Sequence, residues 1–454
     1  MELTGSASLP AWEPDWARQV RADPWLLDDL AHAVDGPFHV LHPDTFAANL
    51  GSFHEALGQA GVGGQVFFGK KANKAACWLR AGVDGGAGVD VASAHELADC
   101  LAHGVRGEDV VVTGAAKHTD LLWLAARHGS LVAVDALDEL ERVLALGRAS
   151  GPVRVLLRVL PEVNARSRFG FAPAELDRAL QRCCQEQDAV RMEGFSFHLN
   201  GYDIAPRAEL AAELVQRCVA ARAQGLDARS ISIGGGFAVN YVDEQSWKRF
   251  QHDYTDSWFH TDKAFSHFYP YHHQSPTGGD MLAAILASPD GQHGTLGAKF
   301  AATGTRMLLE PGRALLDGAG FTAFPVQGFK WRGDYGIVTA QGLSMSLSEQ
   351  WKGSEYLPDP LLWSPDGGEA PAETPGEVTP ACVGGASCLE YDMLTWRKVP
   401  FPRPPRFGDL LIYPNTAGYQ MDKNETEFHQ IPLPTRVVVS RDQSRYRWKP
   451  DRQG

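Results

Sequence analysis

The sequence has few cysteines, no long apolar run and no excess of basic residues. Seven cysteines among 454 residues form no CxxC pair and have no regular spacing, so we expect neither a disulfide framework nor a zinc site. No stretch approaches the length of a membrane span, and the opening residues lack a basic segment followed by an apolar run. The net charge of −13 argues against a nucleic-acid or anionic-membrane partner. We therefore expect a cytoplasmic protein with reduced thiols.

What the sequence does contain is a long alternation of two kinds of segment. From about residue 65 to residue 315, short β-branched runs alternate with longer segments rich in Ala and Leu. This alternation is typical of repeated βα units, and eight such units close a (β/α)8 TIM barrel. The predicted strands cover residues 65–69, 89–93, 109–114, 131–135, 153–159, 194–199, 230–236 and 306–312.

The remaining sequence predicts a second domain, because 454 residues exceed one ordinary core. Residues 1–44 contain an early extended run and are expected to join a β domain formed by residues 319–454. Within that domain, a Pro/Gly-rich acidic stretch predicts a mobile loop over residues 352–380. Residues 45–318 form the predicted barrel, with an insertion at 244–300.

The insertion is unusually rich in histidine and aromatic residues. The five histidines between residues 252 and 273 fit no zinc signature, so we expect no metal there. A lid or wall over the barrel mouth is the preferred interpretation. The aromatic residues expected near that mouth are Trp247, Trp258, Phe268, Tyr269 and Tyr271.

Polar residues recur where the predicted strands end. In a TIM barrel these ends meet at the face that holds the active site, although any single polar residue there could simply terminate a strand. The residues concerned are Lys71, Ser93, Lys117, Asp135, Arg158, His198, Gly234 to Gly236 and Glu310 to Arg313.

Four of these positions suggest specific chemistry. Lys71 at an inner strand end would have a lowered pKa in a low-dielectric pocket and could attack an aldehyde, although a Lys-Lys pair taken alone is usually part of a solvated loop. The triglycine Gly234–Gly236 could hold an anion with its backbone N–H groups, although it could also be a tight turn. Glu310 and Arg313 could be an ion pair, or could bind a pyridine nitrogen and a phosphate or carboxylate. His198 could be structural or could lie beside a ligand.

Ten motifs in order now resemble a known family. The series is FGKKAN, GVDVASAHEL, TGAAKH, AVDALDEL, LLRV…SRFGF, GFSFHLNG, IGGGF, LEPGR, GASCLEYD and AGYQMD, between about residues 36 and 440. It resembles the fold-type III pyridoxal-phosphate decarboxylases, which include diaminopimelate and ornithine decarboxylases. The resemblance implies a (β/α)8 barrel with a C-terminal β domain, pyridoxal 5'-phosphate as cofactor and an amino-acid substrate.

The resemblance also implies roles at matching positions. Lys71 would form the Schiff base with the cofactor and then yield to a substrate aldimine, and His198 would stack on the cofactor ring. Glu310 would pair with the pyridine nitrogen, and Cys388 would help to reprotonate the carbanion in a neighbouring subunit of a homodimer. The other implied cofactor-binding residues are Asp90, Arg158, Gly234, Gly235, Gly236, Gly312, Arg313 and Tyr419, and the implied substrate-binding residues are Arg313, Leu389 and Glu390.

Three departures put the usual substrates in doubt. Gly201 stands where the family has a phosphate-binding serine, so that contact is lost or taken over by Asn200. Leu389 follows the cysteine where enzymes for basic amino acids carry an acid, and Glu390 should point elsewhere if the segment is extended. The segment at 344–351 lacks the arginine that would grip diaminopimelate. We therefore expect a less common amino acid, with a bulky or polar uncharged tail, as substrate.

Two other functions fit the same scaffold. A racemase of this barrel class would place an arginine at the pyridine nitrogen, whereas Glu310 keeps that nitrogen protonated and favours decarboxylation. A decarboxylase relative that has lost activity could regulate a partner instead. The joint presence of Lys71, His198, Glu310 and Cys388 favours an active enzyme.

Overall fold

The computed structural model describes residues 8–347, 355–365, 368–369, 377–443 and 445–451. Its strands are β1 (Phe38–Leu41), β2 (Gly64–Gly69), β3 (Gly88–Val91), β4 (Val110–Val112), β5 (Leu131–Val134), β6 (Val153–Arg158), β7 (Val190–Ser196), β8 (Ser230–Ser232), β9 (Pro289–Asp290), β10 (Gly294–Thr295), β11 (Arg306–Leu309), β12 (Gly320–Arg332), β13 (Tyr335–Ala340), β14 (Leu361–Ser364), β15 (Gly368–Glu369), β16 (Thr379–Gly384), β17 (Met393–Phe401), β18 (Leu410–Tyr413), β19 (Thr435–Asp442) and β20 (Arg445–Pro450). Its α-helices are α1 (Asp15–Ala22), α2 (Pro24–Ala33), α3 (Pro43–Gln59), α4 (Ala76–Asp84), α5 (Ala94–Ala102), α6 (Thr119–Arg127), α7 (Leu137–Ser150), α8 (Pro173–Gln185), α9 (Ile204–Ala223), α10 (Glu244–Asp253), α11 (Gly278–Leu286) and α12 (Leu296–Thr303).

Eight parallel strands close a barrel, as the alternating sequence predicts. The order around the barrel is β2 to β8 and then β11, which pairs with both β8 and β2. Strands β3, β4 and β5 are buried along their whole length, because helices cover their outer faces and side chains fill the interior. An apolar cluster joins five strands across the barrel: Phe67, Val111, Leu131, Leu156 and Leu308. All eight predicted barrel strands are confirmed.

The second region is a sheet of ten strands. Strand β1 pairs antiparallel with β12 and parallel with β19, so the early extended run joins this sheet as predicted. Helices α1 and α2 cover one face of the sheet because their apolar sides pack onto it. The buried core there includes Trp16, Val20, Leu27, Leu30, Phe38, Phe321, Trp363, Leu410, Val437 and Val439.

The chain divides into two compact units close to the predicted boundaries. One unit contains the chain up to Phe46, the segment Val239–Gln274 and the chain from Leu316 on; the other contains Ala47–Ala238 and Ser275–Leu315. The predicted assignment of the whole insertion 244–300 to the barrel is therefore wrong. Its first part belongs to the β unit, and its second part supplies α11 and α12 of the barrel unit.

Packing explains why the first part of the insertion belongs to the β unit. Lys398 Nζ donates to the carbonyl of Ser257 at 2.8 Å, and Phe259 forms an antiparallel bridge with Arg397. The aromatic residues of this part pack mainly on one another, and buried Trp247 packs against half-buried Phe268. These rings form a core of their own, and the lid over the barrel mouth stays a prediction.

The prediction of a mobile loop over residues 352–380 is wrong for the part of this range that the structure describes. Leu361–Ser364 form the buried strand β14, which pairs with β18, and β16 begins at Thr379. The prediction rested on the Pro/Gly-rich composition of the whole stretch. It therefore missed the short apolar run LLWS that forms β14. Residues 352–354, 366–367 and 370–376 lie outside the described residues.

Candidate active site

The lysine predicted to carry the cofactor forms an ion pair with an acid from the next strand. Lys71 follows β2, and its Nζ lies 2.8 Å from Oδ2 of Asp90 in β3. Asp90 is buried, and its other oxygen accepts a hydrogen bond from Thr113, just after β4. The Lys71 side chain is 49% exposed, so the predicted low-dielectric pocket around this amine is wrong. A carboxylate holds the amine at the strand ends, where it remains accessible.

The two adjacent lysines have different environments. Lys70 is buried, and its Nζ lies 2.6 Å from a carboxylate oxygen of Asp99 in α5. Lys71 is the lysine of the pair that reaches the carboxylate Asp90 at the strand ends. The geometry therefore favours Lys71 over Lys70 as the reactive amine.

Glu310 follows β11 and is a buried acid. Its Oε1 accepts a hydrogen bond of 2.5 Å from the hydroxyl of Ser232 in β8. Burial and, to a smaller extent, the nearby Asp90 carboxylate raise the pKa of Glu310 to about 7. Lys71 acts in the opposite direction. The carboxyl group can therefore take up or release a proton near neutral pH.

His198 follows β7 and stands beside the triglycine. The Gly235 N–H donates to His198 Nδ1 at 3.3 Å, so the neutral ring carries its proton on Nε2. The residue is exposed, yet enough protein atoms surround the ring for desolvation to govern its charge. Desolvation, with the positive charges of Lys71 and Arg158, lowers the pKa of His198 to about 3. A neutral, accessible ring is suited to stacking.

The triglycine follows β8 and requires glycine at its ends. Gly234 has a φ of +70° and Gly236 a φ of +80°, which other residues rarely adopt. A Cβ on Gly235 would lie 2.6 Å from the carbonyl oxygen of Glu310, and one on Gly236 would lie 2.2 Å from Nη2 of Arg207. The backbone of the loop therefore packs closely against Glu310 and Arg207 with no side chain between them. A backbone free of side chains is also what an anion-binding loop requires.

The predicted Arg158 and the Glu-Pro-Gly-Arg turn lie at the same face. Arg158 ends β6, approaches Asp135 at 3.4 Å and lies over the ring of Phe169. The Gly69 N–H donates to the Pro311 carbonyl at 3.1 Å, which ties the turn containing Gly312 to the end of β2. Arg313, next in the chain, is buried.

Two polar strand-end residues have structural roles instead. The hydroxyl of Ser93 accepts the Glu96 N–H at 3.1 Å and caps helix α5. Lys117 is buried in an ion pair of 2.8 Å with Glu139 in α7. The sequence could not separate these residues from Lys71 or His198, since all of them follow strands.

In the β unit, the predicted Cys388 is paired with a histidine. Cys388 is exposed, and its Sγ lies 3.2 Å from Nε2 of His429. Leu389 is 54% exposed. The chain turns here, with the Asp392 N–H donating to the Leu389 carbonyl at 3.1 Å. The assumption of an extended segment is wrong, so strand alternation does not determine the direction of Glu390.

Tyr419 also belongs to the β unit and adopts an unusual backbone conformation. Its φ is +76°, in the left-handed region, and the Lys423 ammonium lies over its ring at 5.7 Å. Its role at the cofactor phosphate stays a prediction.

A cavity of about 520 Å³ lies beside Leu389 within the β unit. Its apolar lining residues are Leu343, Met345, Leu389, Tyr391 and Phe428. Both carboxylates in the lining are already engaged. Asp392 accepts the N–H groups of Ser344 and Ser387, and Glu425 forms an ion pair with Arg436.

Sequence reasoning did not single out four residues that contact these groups: Thr113, Ser232, Arg207 and His429. Thr113 and Ser232 lie at strand ends, so their position offered a signal. Arg207 lies in the helix α9 and His429 in a distant loop, where nothing in the sequence pattern marks them.

A family model described as "Pyridoxal-dependent decarboxylase, pyridoxal binding domain" matches residues 44–274, about half of the chain. The chain belongs to this family of pyridoxal-dependent decarboxylases. Membership confirms the resemblance noted from the ten motifs, and the closed barrel with its β sheet confirms the fold.

Similar proteins cover nearly the whole chain. The uncharacterized protein y4yA of Sinorhizobium fredii is 34% identical over 92% of this chain and 90% of its own length. Diaminopimelate decarboxylase of Actinosynnema pretiosum is 29% identical, over 86% of this chain and 81% of its own. The structure of diaminopimelate decarboxylase from Helicobacter pylori, complexed with L-lysine, has a TM-score of 0.72 at 16% identity and covers 93% of this chain and 95% of its own. At such identity, the structure supports the fold alone.

The described residues fit pyridoxal phosphate. The barrel unit offers an accessible amine on Lys71, a buried acid at Glu310 and a triglycine loop whose spaces a Cβ would fill. The described part of the chain contains no group of three or more His, Cys, Asp or Glu arranged to hold a metal ion. None of its helices is both long and apolar enough to cross a membrane.

Proposed function

We propose that the chain is a pyridoxal-phosphate-dependent amino-acid decarboxylase that carries its cofactor on Lys71. The observation that carries the proposal is the buried acid Glu310, close to Asp90 and Lys71 at the barrel face. Bound pyridoxal phosphate supplies a ring that accepts the electron pair left when the substrate carboxylate departs as CO2. Glu310 would hold the proton at the ring nitrogen, which a racemase arginine would not do.

The other barrel residues would orient the cofactor. His198 would pack its neutral ring against one face, and Asp90 and Arg158 would support the Lys71 side of the site. The backbone of Gly234–Gly236, with Gly312 and Arg313, would hold the phosphate, assisted by Tyr419. Arg313 would also be available to the substrate carboxylate.

Cys388 would return a proton to the α-carbon of the substrate. We propose that it does so in the site of a neighbouring copy in a homodimer, because it lies in the β unit and is exposed. His429, 3.2 Å from its sulfur, would replace the proton that the thiol gives up.

The substrate would carry a bulky or polar uncharged tail. Leu389 cannot pair with a distal ammonium, and an unpaired buried charge is costly. The cavity beside Leu389 is largely apolar, and its two carboxylates are engaged. Glu390, one position later, lies in the turn and would contact the substrate only at its rim.

A screen of CO2 release tests the proposal. Purified protein with pyridoxal phosphate is assayed against D- and L-amino acids and carboxylated biosynthetic intermediates. We expect CO2 from an amino acid with an uncharged tail. Exchange of the α-proton without CO2 would instead identify a racemase, and turnover of none of them would favour a silent homologue.

The substrate assignment has its own control. L-ornithine, L-lysine and meso-diaminopimelate should each stay below about 10⁴ M⁻¹s⁻¹ in kcat/KM. Leu389→Asp should improve the use of L-ornithine relative to Leu389→Asn, which has the same shape without the charge. A wild-type value above that threshold for any of the three would contradict our interpretation of Leu389.

A further inference from the structure

Arg207 is a fully buried cation bound only by neutral groups. It lies in helix α9, and its guanidinium donates to the carbonyls of Leu199 at 3.1 Å, Gly201 at 2.8 Å and Asp203 at 3.2 Å. It forms no ion pair with any carboxylate of the described residues. Its Nε is buried without a hydrogen-bond partner among them.

This arrangement is costly without an anion. A guanidinium stays charged in proteins, and burying a charge without a counter-charge is unfavourable even after the surrounding protein relaxes. Burial accordingly lowers the pKa of Arg207, against the weaker influence of Asp203. A buried donor without a partner adds a further penalty. An anionic ligand close to the guanidinium would offset the cost of the buried charge.

The position of Arg207 indicates which anion. Its Nη2 lies 2.2 Å from where a Cβ on Gly236 would stand, so the guanidinium adjoins the triglycine loop. It also holds the carbonyl of Gly201, the position at which the family's serine is missing. Gly201 has a φ of +77°, which a serine would adopt only with strain. Asn200, the alternative suggested by the sequence, is exposed.

We propose that Arg207 supplies a positive charge to the phosphate group of the cofactor, in place of the missing hydroxyl at position 201. This inference rests on the proposed function. It assigns a second arginine to the phosphate in addition to Arg313. Arg207 would also keep the loop after β7 against the triglycine through its bonds to Leu199 and Gly201.

Comparing two ligands tests this role without an activity assay. Cofactor-free protein is titrated with pyridoxal phosphate and with pyridoxal, which lacks the phosphate, by visible absorbance. Arg207→Gln should weaken pyridoxal phosphate binding by about 10- to 100-fold, the size expected for one positive charge close to the phosphate. Pyridoxal binding should change little. Arg217→Gln is the control, since Arg217 lies on the same helix and pairs with Glu213 at the surface.

The ratio of the two affinities separates binding from structure. If Arg207 contributes nothing at the phosphate, both ligands will weaken together and the ratio will stay at the wild-type value, which would overturn the proposal. Arg207→Lys gives a second readout if the Gln variant does not fold, because an ammonium cannot reproduce the fork of donors. Its ratio should fall about threefold or more, and an unchanged ratio would equally overturn the proposal. If the wild-type protein did not bind pyridoxal phosphate at all, the proposed function itself would fail.

Discussion

The candidate site residues of the barrel unit contact partners within that unit, whereas those of the β unit around Cys388 are exposed. In the barrel, Lys71 is paired with Asp90, and Glu310 is buried against Ser232. In the β unit, the residues around the Cys388 turn are exposed, including Leu389 at 54% and Tyr391 at 75%. Exposed apolar groups of this kind often mark an interface. The barrel thus holds a site organised within one chain, whereas the β unit presents residues that our proposal places in a neighbouring copy.

The largest expected effect concerns the barrel alone. Lys71→Ala should abolish CO2 release, because Lys71 is the lysine after β2 whose amine is accessible at the strand ends. In the wild-type protein, borohydride reduction should fix the cofactor to Lys71, as found by mass mapping of peptides. Lys70 is the internal control, since it is committed to Asp99. A label on Lys70 or Lys74 would contradict the geometry of the whole site.

Glu310 should give the next largest effect. Glu310→Gln keeps the size of the side chain and its contact with Ser232 but removes the acid. We expect turnover to fall by about 10²-fold or more, as for the loss of one charge-stabilising group, while the cofactor stays bound. Absorbance would monitor binding, and Glu141→Gln on the surface of α7 is the matched control. Turnover near the wild-type value would remove the main argument for a decarboxylase over a racemase.

The barrel was predictable because its signals are local and repeated. Most residues of its strands are buried, and polar residues such as Lys71 and Glu310 follow the strands at the face where a barrel is expected to hold its active site. The partner of each polar residue at a strand end was not predictable. Nothing in the sequence separates Ser93, which caps a helix, from His198, which is exposed.

The β unit was less predictable because its contacts are distant in sequence. His429 contacts Cys388, 41 positions away in the sequence. The first part of the insertion was assigned to the wrong unit because its partner strand, β17, follows it by more than a hundred residues. Aromatic composition indicates that a segment is buried but does not say against what. The burial of Arg207 in the barrel unit was equally unpredictable, because a single arginine in a helix is usually expected to face solvent.

A mixing experiment tests directly whether Cys388 acts in the site of a neighbouring copy. Lys71→Ala and Cys388→Ala chains, each with little activity, are combined under conditions that allow subunit exchange. If Cys388 serves a neighbouring copy, one site of each hybrid dimer will be intact, and activity should recover to roughly a quarter of the wild-type value for random exchange of equal amounts. Labelled subunits should be used to verify the exchange. Absence of recovery despite proven exchange would mean that each site is built from one chain.

The smallest expected effect is the contribution of Glu310, in the barrel unit, to the pH dependence of stability. Burial raises the Glu310 pKa from 4.5 to about 7 in the folded protein, so folding favours the protonated acid. Its contribution is therefore fully present below about pH 4.5 and is lost as the pH rises through about 7. The stability of cofactor-free wild-type protein relative to Glu310→Gln should fall by about 1–3 kcal/mol between pH 5 and pH 8. Denaturant unfolding at the two pH values measures this difference. Glu141→Gln should show no such trend, since Arg182 lowers the Glu141 pKa and that carboxylate is ionised throughout the range. A pH-independent difference for Glu310→Gln would mean that Glu310 is already ionised in the folded protein, and the site would then lack the buried acid on which the proposed chemistry depends.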